Sequence, residues 1–215
     1  MEWLTVAIAK GRIEKDMNKI FYEIGMGDWI DPGSRKLVFE DHANLIKYIF
    51  VKPVDVVTYV EKGVADLGVV GKDVILEQEG DVYELLDLQF GKCTFAVASF
   101  PKNKQFRLKN NIRIATKYPN ITKKYFQKED IEIIPLNGSV ELAPIMGLSD
   151  VIVDLVETGN TLKANGLVVL EEMMPISAKV ICNKVSYRFQ YEKIMSYKGK
   201  ISEGREKYNE NLSIK

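Results

Sequence analysis

One stretch carries most of the chemistry this chain has to offer: Val151-Ile-Val-Asp154-Leu-Val-Glu157-Thr158-Gly159-Asn160-Thr161-Leu162. An apolar run delivers an acidic residue and then turns through Thr-Gly-Asn-Thr into a short helix. Backbone N–H groups at such a helix start, joined by the Thr hydroxyls, form a cradle for a phosphate. Gly159 supplies a positive φ and lets the phosphate come close. Asp154 is placed to accept hydrogen bonds from sugar hydroxyls. Asp154 and Glu157 are an odd number of positions apart, so on a continuous strand they face opposite ways and do not act as a pair. The same residues also describe a plain turn with Thr capping a helix, and spacing alone leaves both readings open.

A second set of groups is cationic. Lys10-Gly11-Arg12 follows the first apolar run directly, and Lys52 follows the run ending at Val51. Ligands of open α/β sheets collect beyond such carboxyl ends, where cations around a glycine suit a polyphosphate. Solvated surface is the competing reading. Gly68-Val-Val-Gly71-Lys72-Asp73 has neither the spacing of a phosphate loop nor a Ser or Thr after its lysine, and Asp73 is placed to cap the next helix. His42 is the sole histidine. Without a serine elbow or a matched cysteine, hydrolase triads are excluded. No His and Cys cluster suits a transition metal, so a metal would be a hard ion such as Mg²⁺ carried in by phosphates. Trp3 and Trp29 read as packing residues.

The elements that must position these groups alternate between apolar runs and helical periods, the pattern of an α/β protein. Strands are expected at Leu4 to Ala9, Leu37 to Glu40, Ile46 to Val51, Leu67 to Val70, Phe95 to Ser99, Ile112 to Ala115, Ile131 to Pro135, Val151 to Val156 and Lys179 to Asn183. Two helix-turn-strand units look alike. A helix over Val54 to Lys62 leads to Gly63-Val-Ala-Asp66, and one over Val140 to Met146 leads to Gly147-Leu-Ser-Asp150. Asp55 and Glu141 stand near the two helix starts, where negative charge is favoured. Either the likeness is coincidence or two similarly built lobes flank a cleft. The polar C-terminal stretch reads as helix interrupted at Gly199 or Gly204.

The 215 residues carry 30 basic and 30 acidic side chains, so no global field holds a nucleic acid or an anionic membrane. The N-terminal apolar run is too short for a signal peptide, no stretch approaches membrane-spanning length, and the two cysteines are far apart; together these suit a reduced cytoplasmic compartment.

Taken in order, Ala9-Lys10-Gly11-Arg12, Asp55 with Tyr59 to Gly63, Ala65 to Asp73, Ala115-Thr-Lys-Tyr-Pro119-Asn-Ile-Thr122, Gly138-Ser-Val-Glu141-Leu-Ala-Pro144 and Asp154 to Gly166 resemble the ATP phosphoribosyltransferase family over nearly the whole chain. The resemblance implies a fold like the type II periplasmic binding proteins, with the active site in the inter-lobe cleft. Lobe I would be residues 1–92 plus 182–215, and lobe II residues 93–181. Cys93 and Cys182 would lie near the crossovers.

By the same resemblance, ATP and phosphoribosyl pyrophosphate are the substrates, with Mg²⁺ accompanying their phosphates. Lys10, Arg12, Lys52 and Asp154 are the expected catalytic groups. Asp73, Glu141, Glu157, Thr158, Gly159, Asn160 and Thr161 are the expected binding groups. The chain looks like the short form, which implies a homodimer within a hetero-oligomer containing a regulatory subunit related to histidyl-tRNA synthetase. It departs from the family at Ala9, where Pro is frequent, at Lys52, where Arg is usual, and at Val57, where Pro is common. Lysine at position 52 loses the bidentate fork of arginine. A two-lobed binding protein and an inactive paralogue are the alternatives.

Overall fold

The computed structural model describes residues 3–26 and 36–213; Trp29 lies outside them. The chain divides into two compact α/β units, one built from residues 1–91 and 177–215, the other from 92–176.

In the first unit, β1 (Leu4–Ala9), α1 (Arg12–Glu23), β2 (Val38–Asp41), β3 (Ile46–Val51), α2 (Pro53–Glu61), β4 (Leu67–Gly71), α3 (Lys72–Gln78) and β5 (Tyr83–Asp87) precede the crossing. In the second, β6 (Cys93–Ser99), β7 (Ile112–Thr116), α4 (Pro119–Tyr125), β8 (Ile131–Pro135), α5 (Leu142–Ile145), β9 (Val151–Val156), α6 (Asn160–Ala164) and β10 (Val168–Ile176) follow. The chain returns to the first unit as β11 (Ala178–Cys182), α7 (Lys184–Phe189) and α8 (Tyr191–Ser213).

The first sheet has the order β2-β3-β1-β4-β11-β5, with β1 parallel to β3 and β4. Its central strand is buried on both faces, and period-2 alternation sorts its side chains. Leu4, Val6 and Ile8 join a cluster with Met17, Ile20 and Phe21 of α1 and Ile194, Tyr197 and Ile201 of α8. Ala7 and Ala9 point the other way, against Val56, Val57 and Val60 of α2 and Val74 and Ile75 of α3. Helices therefore cover both faces. Pro53 opens α2, where its fixed φ and missing N–H cost nothing.

The second sheet has the order β10-β6-β9-β7-β8, with β7 parallel to both β8 and β9 and β6 antiparallel to β9. Ala98, Ala115, Val140, Ala143, Ile152, Leu162 and Leu167 form a core on one of its faces.

Four expectations change. The division falls after Ile176 rather than near residue 182, because β11 is hydrogen-bonded between β4 and β5 in the first sheet. The strands β5 and β10 add to those expected. The C-terminal helix α8 runs unbroken through Gly199 and Gly204. The interruption lies instead between α7 and α8, at Gln190. Asp73 does not cap α3: the N-cap position is Gly71, and Asp73 sits in the first helical turn with its carboxylate folded back over that glycine.

Candidate active site

Both Gly-x-x-Asp units take one geometry. Gly63 and Gly147 lie in the left-handed region, at φ 71° and 72°. The Asp66 carboxylate accepts the backbone N–H of Thr5 at the start of β1. The Asp150 carboxylate accepts that of Arg113 at the start of β7. Each aspartate thus pins its strand beside a parallel neighbour and sets which residues emerge at the far end.

At the carboxyl end of the first sheet, Ala9 pairs with Val51, so Lys10 and Lys52 leave adjacent parallel strands side by side. The Lys10 N–H donates to the Val51 carbonyl at 2.8 Å, and both lysine side chains are exposed. Gly11, at φ 98°, turns the chain so that Arg12 begins α1. The Gly11 N–H is held by the Glu14 carboxylate at 3.1 Å. Lys72 is engaged in an ion pair with Glu84, which gives this lysine a structural partner.

The carboxyl end of the second sheet holds a cavity of about 260 Å³. The run from Leu155 to Leu162 lines it, together with Ala96, Ala98, Glu141, Ile152 and Asp154. Gly159 has φ 71°, as the turn requires, and serves as N-cap of α6. The Asn160 N–H donates weakly to the Thr158 hydroxyl at 3.4 Å, while Thr158, Asn160 and Thr161 remain exposed to the cavity side. Strand β9 stops at Val156, so Glu157 is outside the alternation and lines the same cavity as Asp154.

Asp154 is mostly buried. Burial pushes its carboxyl above the usual range, the Leu155 N–H opposes this at 2.8 Å, the charge of Glu141 pushes it further up, and Lys117 pulls it down. Glu141 arrives at the N-cap of α5, from a segment the sequence links to Asp154 only through the family pattern. Ala96 and Ala98, two apart on β6, were not singled out in the sequence. Their signal is the recurrence of a small side chain on one face of a strand, which leaves room beside Asp154; Ala96 is its register partner.

Among the described residues, no group of three or more His, Cys, Asp or Glu stands close enough to hold a metal ion. Cys93 and Cys182 are not joined in a disulfide, and burial pushes the Cys182 thiol up to about 12, with Asp66 adding to the effect. No described helix is long and apolar enough to cross a membrane.

The family model for ATP phosphoribosyltransferase matches residues 52–203. An ATP phosphoribosyltransferase of Clostridioides difficile (strain 630) is 63% identical over 198 residues, covering 91% of this chain and 95% of that protein. One from Caldanaerobacter subterraneus subsp. tengcongensis is 53% identical over 90% of this chain and 93% of its own. Among solved structures, the ATP phosphoribosyl transferase (HisG:HisZ) complex from Thermotoga maritima superposes with a TM-score of 0.83 at 39% identity, over 94% of this chain and 98% of that one. The periplasmic aliphatic sulphonate binding protein SsuA of Escherichia coli shares the fold alone, at TM-score 0.61 and 12% identity over 99% of this chain and 71% of that one. With an acidic strand end and a Thr-Gly-Asn-Thr turn on one cavity, and with relatives matched over nearly all of its length, the chain belongs to the ATP phosphoribosyltransferase family.

Proposed function

We infer that this chain transfers the phosphoribosyl group of phosphoribosyl pyrophosphate to the adenine ring of ATP, giving phosphoribosyl-ATP and pyrophosphate, the first step of histidine biosynthesis. The observation that carries the reading is the cavity at the end of β9, where Asp154 and the 158–161 turn stand together in a member of this family. In the reaction a bond forms from an adenine ring nitrogen to C1 of the ribose while the C1–O bond to pyrophosphate breaks. Positive charge grows on the sugar, so fixed carboxylates and neutralised phosphates matter more than a strong base.

Thr158, Gly159, Asn160 and Thr161 hold the 5-phosphate through backbone N–H groups and hydroxyls. Asp154 accepts the ribose hydroxyls, and Glu141 and Glu157 add negative charge beside the developing cation. Lys10, Arg12 and Lys52 meet the ATP phosphates or the departing pyrophosphate, with Asp73 contributing to binding in the same unit. The oxygen donors of the cavity suit Mg²⁺, which usually keeps only one or two carboxylates and takes the rest of its shell from phosphate and water. When bound, the ion neutralises pyrophosphate as a leaving group.

The regulatory partner is a HisZ-type subunit related to histidyl-tRNA synthetase, in a hetero-oligomer built on a catalytic homodimer, and the compartment is the cytoplasm. Support for the hetero-oligomer comes from the HisG:HisZ complex of the Thermotoga maritima relative. The two compact units correspond to lobes I and II. Mixing the purified chain with ATP, phosphoribosyl pyrophosphate and Mg²⁺, with and without that partner, should give phosphoribosyl-ATP only when both substrates are present. Thr161→Ala should raise the KM for phosphoribosyl pyrophosphate; an unchanged KM would remove the cradle from the assignment.

A further inference from the structure

Helix α7 is tied to the first unit along one side. The Asn183 carboxamide oxygen accepts the Val185 and Ser186 N–H groups, each at 2.9 Å, and its amide donates to the Val60 carbonyl at 2.8 Å. Ser186 and Gln190, one turn apart, both donate to the Asp66 carboxylate, at 2.6 and 3.2 Å. The helical period then leaves Val185, Arg188 and Phe189 facing solvent. Phe189 is 77% exposed and Val185 63%. On the other flank Tyr187 stands edge-on to both Tyr83 of β5 and Tyr191 of α8, with centroids 5.2 and 5.3 Å apart. Tyr83 and Tyr191 are themselves 44% and 45% exposed. Apolar and aromatic groups therefore cover the solvent side of α7 and its junction with α8, none of which the assignments above use.

One charge of each sign belongs to this face. Arg188 lies in the last turn of α7 and Glu192 in the first turn of α8, and both are exposed. Among the described residues, neither side chain takes a hydrogen bond or an ion pair. Each charge suits its own helix end, which is a benefit within the chain. A second use follows from the apolar groups between them, since large exposed aromatic patches mark surfaces that are covered by another molecule.

We propose that this face is an interface between two copies of the chain related by a two-fold axis, with Phe189 and Tyr191 at its centre and Arg188 paired with the partner's Glu192. A two-fold interface sets one surface against itself, so it must carry both signs of charge in balance. This face does, with one cation and one anion, whereas a face of a single sign would call for a different molecule. Phe, Tyr and Arg are the groups most enriched at interface centres. The Asn183 and Asp66 bonds already fix α7, so little ordering is left to oppose association. The proposal deepens the homodimer of the proposed function and is independent of the transfer chemistry.

The test is sedimentation equilibrium of the full chain without substrates, on wild type, Phe189→Asp, Arg188→Glu and Glu192→Arg. All three positions are exposed, so thermal melts should stay close to wild type. Each variant should raise the dimer Kd at least about tenfold. An equimolar mixture of Arg188→Glu and Glu192→Arg should return toward the wild-type Kd, because the mixed dimer joins opposite charges at both contacts. A role of these charges within one chain gives no such rescue. A wild type that is monomeric at about 100 μM, a dimer indifferent to Phe189→Asp, or a mixture no tighter than its components overturns the interface. So does a Phe189→Asp chain that still dimerises but no longer captures the HisZ-type subunit, which would give this face to that subunit. Product formation is read separately, and its absence in a dimeric wild type counts against the transfer reading alone.

Discussion

Asp150 and Arg113 bond reciprocally: the Asp150 N–H donates to the Arg113 carbonyl at 2.8 Å, and the Asp150 carboxylate accepts the Arg113 N–H at 3.0 Å. Asp66 and Thr5 repeat the exchange in the first unit, at 2.9 and 2.8 Å. The pattern seen twice in the sequence is one device, a left-handed glycine that stops a helix and an aspartate that clips the next strand to its parallel neighbour.

Acid should undo the Asp150 clip. Burial alone would raise this carboxyl, yet Lys109 at 2.8 Å together with the N–H and guanidinium of Arg113 hold it at about 2. A depressed carboxyl adds stability above its unfolded range, near about 4, and loses it as pH falls toward the folded value. Asp150→Asn should therefore cost about 1–2 kcal/mol at neutral pH, the partners being half in water. Urea melts in that variant should show a flatter dependence on pH between about 4 and about 2. Parallel acid limbs in variant and wild type would count against the clip.

Asp154 carries the opposite sign. Its raised carboxyl favours the neutral form, so ionisation at neutral pH works against folding, an effect absent once the group is protonated. Asp154→Asn should melt at a higher temperature than wild type near about pH 8, with the gap closing by about pH 4, and should lose most transfer activity. A lower melting temperature for Asp154→Asn at the higher pH would refute the burial argument.

Two glycines of α8 should respond in opposite directions. A Cβ at Gly204 would stand 2.9 Å from the Ile20 carbonyl oxygen and 3.0 Å from Ile24 Cγ2, where α8 crosses α1. Gly204→Ala should destabilise by about 1–3 kcal/mol despite the better helix propensity of alanine. Gly199 has nothing within 4 Å of that position. Gly199→Ala should stabilise by up to about 1 kcal/mol. Denaturant midpoints of the two variants on the same side of wild type would contradict this packing.

Thr116→Val keeps the shape of a buried side chain and removes its hydroxyl. The Val153 carbonyl and Tyr118 N–H would each lose a partner, costing about 1–3 kcal/mol. Urea midpoints of Thr116→Val and wild type measure this cost, and equal midpoints would show that the hydroxyl does not hold the turn.

What could be read from the sequence depended on whether the pattern was local. Strands β1, β3, β8 and β9 were bounded residue for residue, because their apolar runs end at charges or turn formers. Strand β10 has Val168 and Val169 exposed, two register shifts against β6 and Pro175 near its end, and these break the alternation that marks a strand. Strand β5 has no residue fully buried, which hides it in the same way. Gly204 looked like a helix stop because propensity is a local quantity, whereas its reason is the neighbouring carbonyl of Ile20. In the cavity, the contiguous residues 154–161 were legible, and Ala96 and Ala98 were not. Those depend on strand order, which brings β6 and β7 to either side of β9.

The strand order also bears on how the chain is made. Strand β5 lies at the edge of the first sheet, hydrogen-bonded to β11 alone, and β11 follows it by about ninety residues that include all of β6 to β10. As the chain leaves the ribosome, the second unit has its complete set of strands before the first unit has its last. Until Ala178–Cys182 emerges, β4 lacks one neighbour and β5 lacks its sole one. The unit made first is finished last, and during that interval its open edge is the place where a nascent chain of this family is most in need of protection.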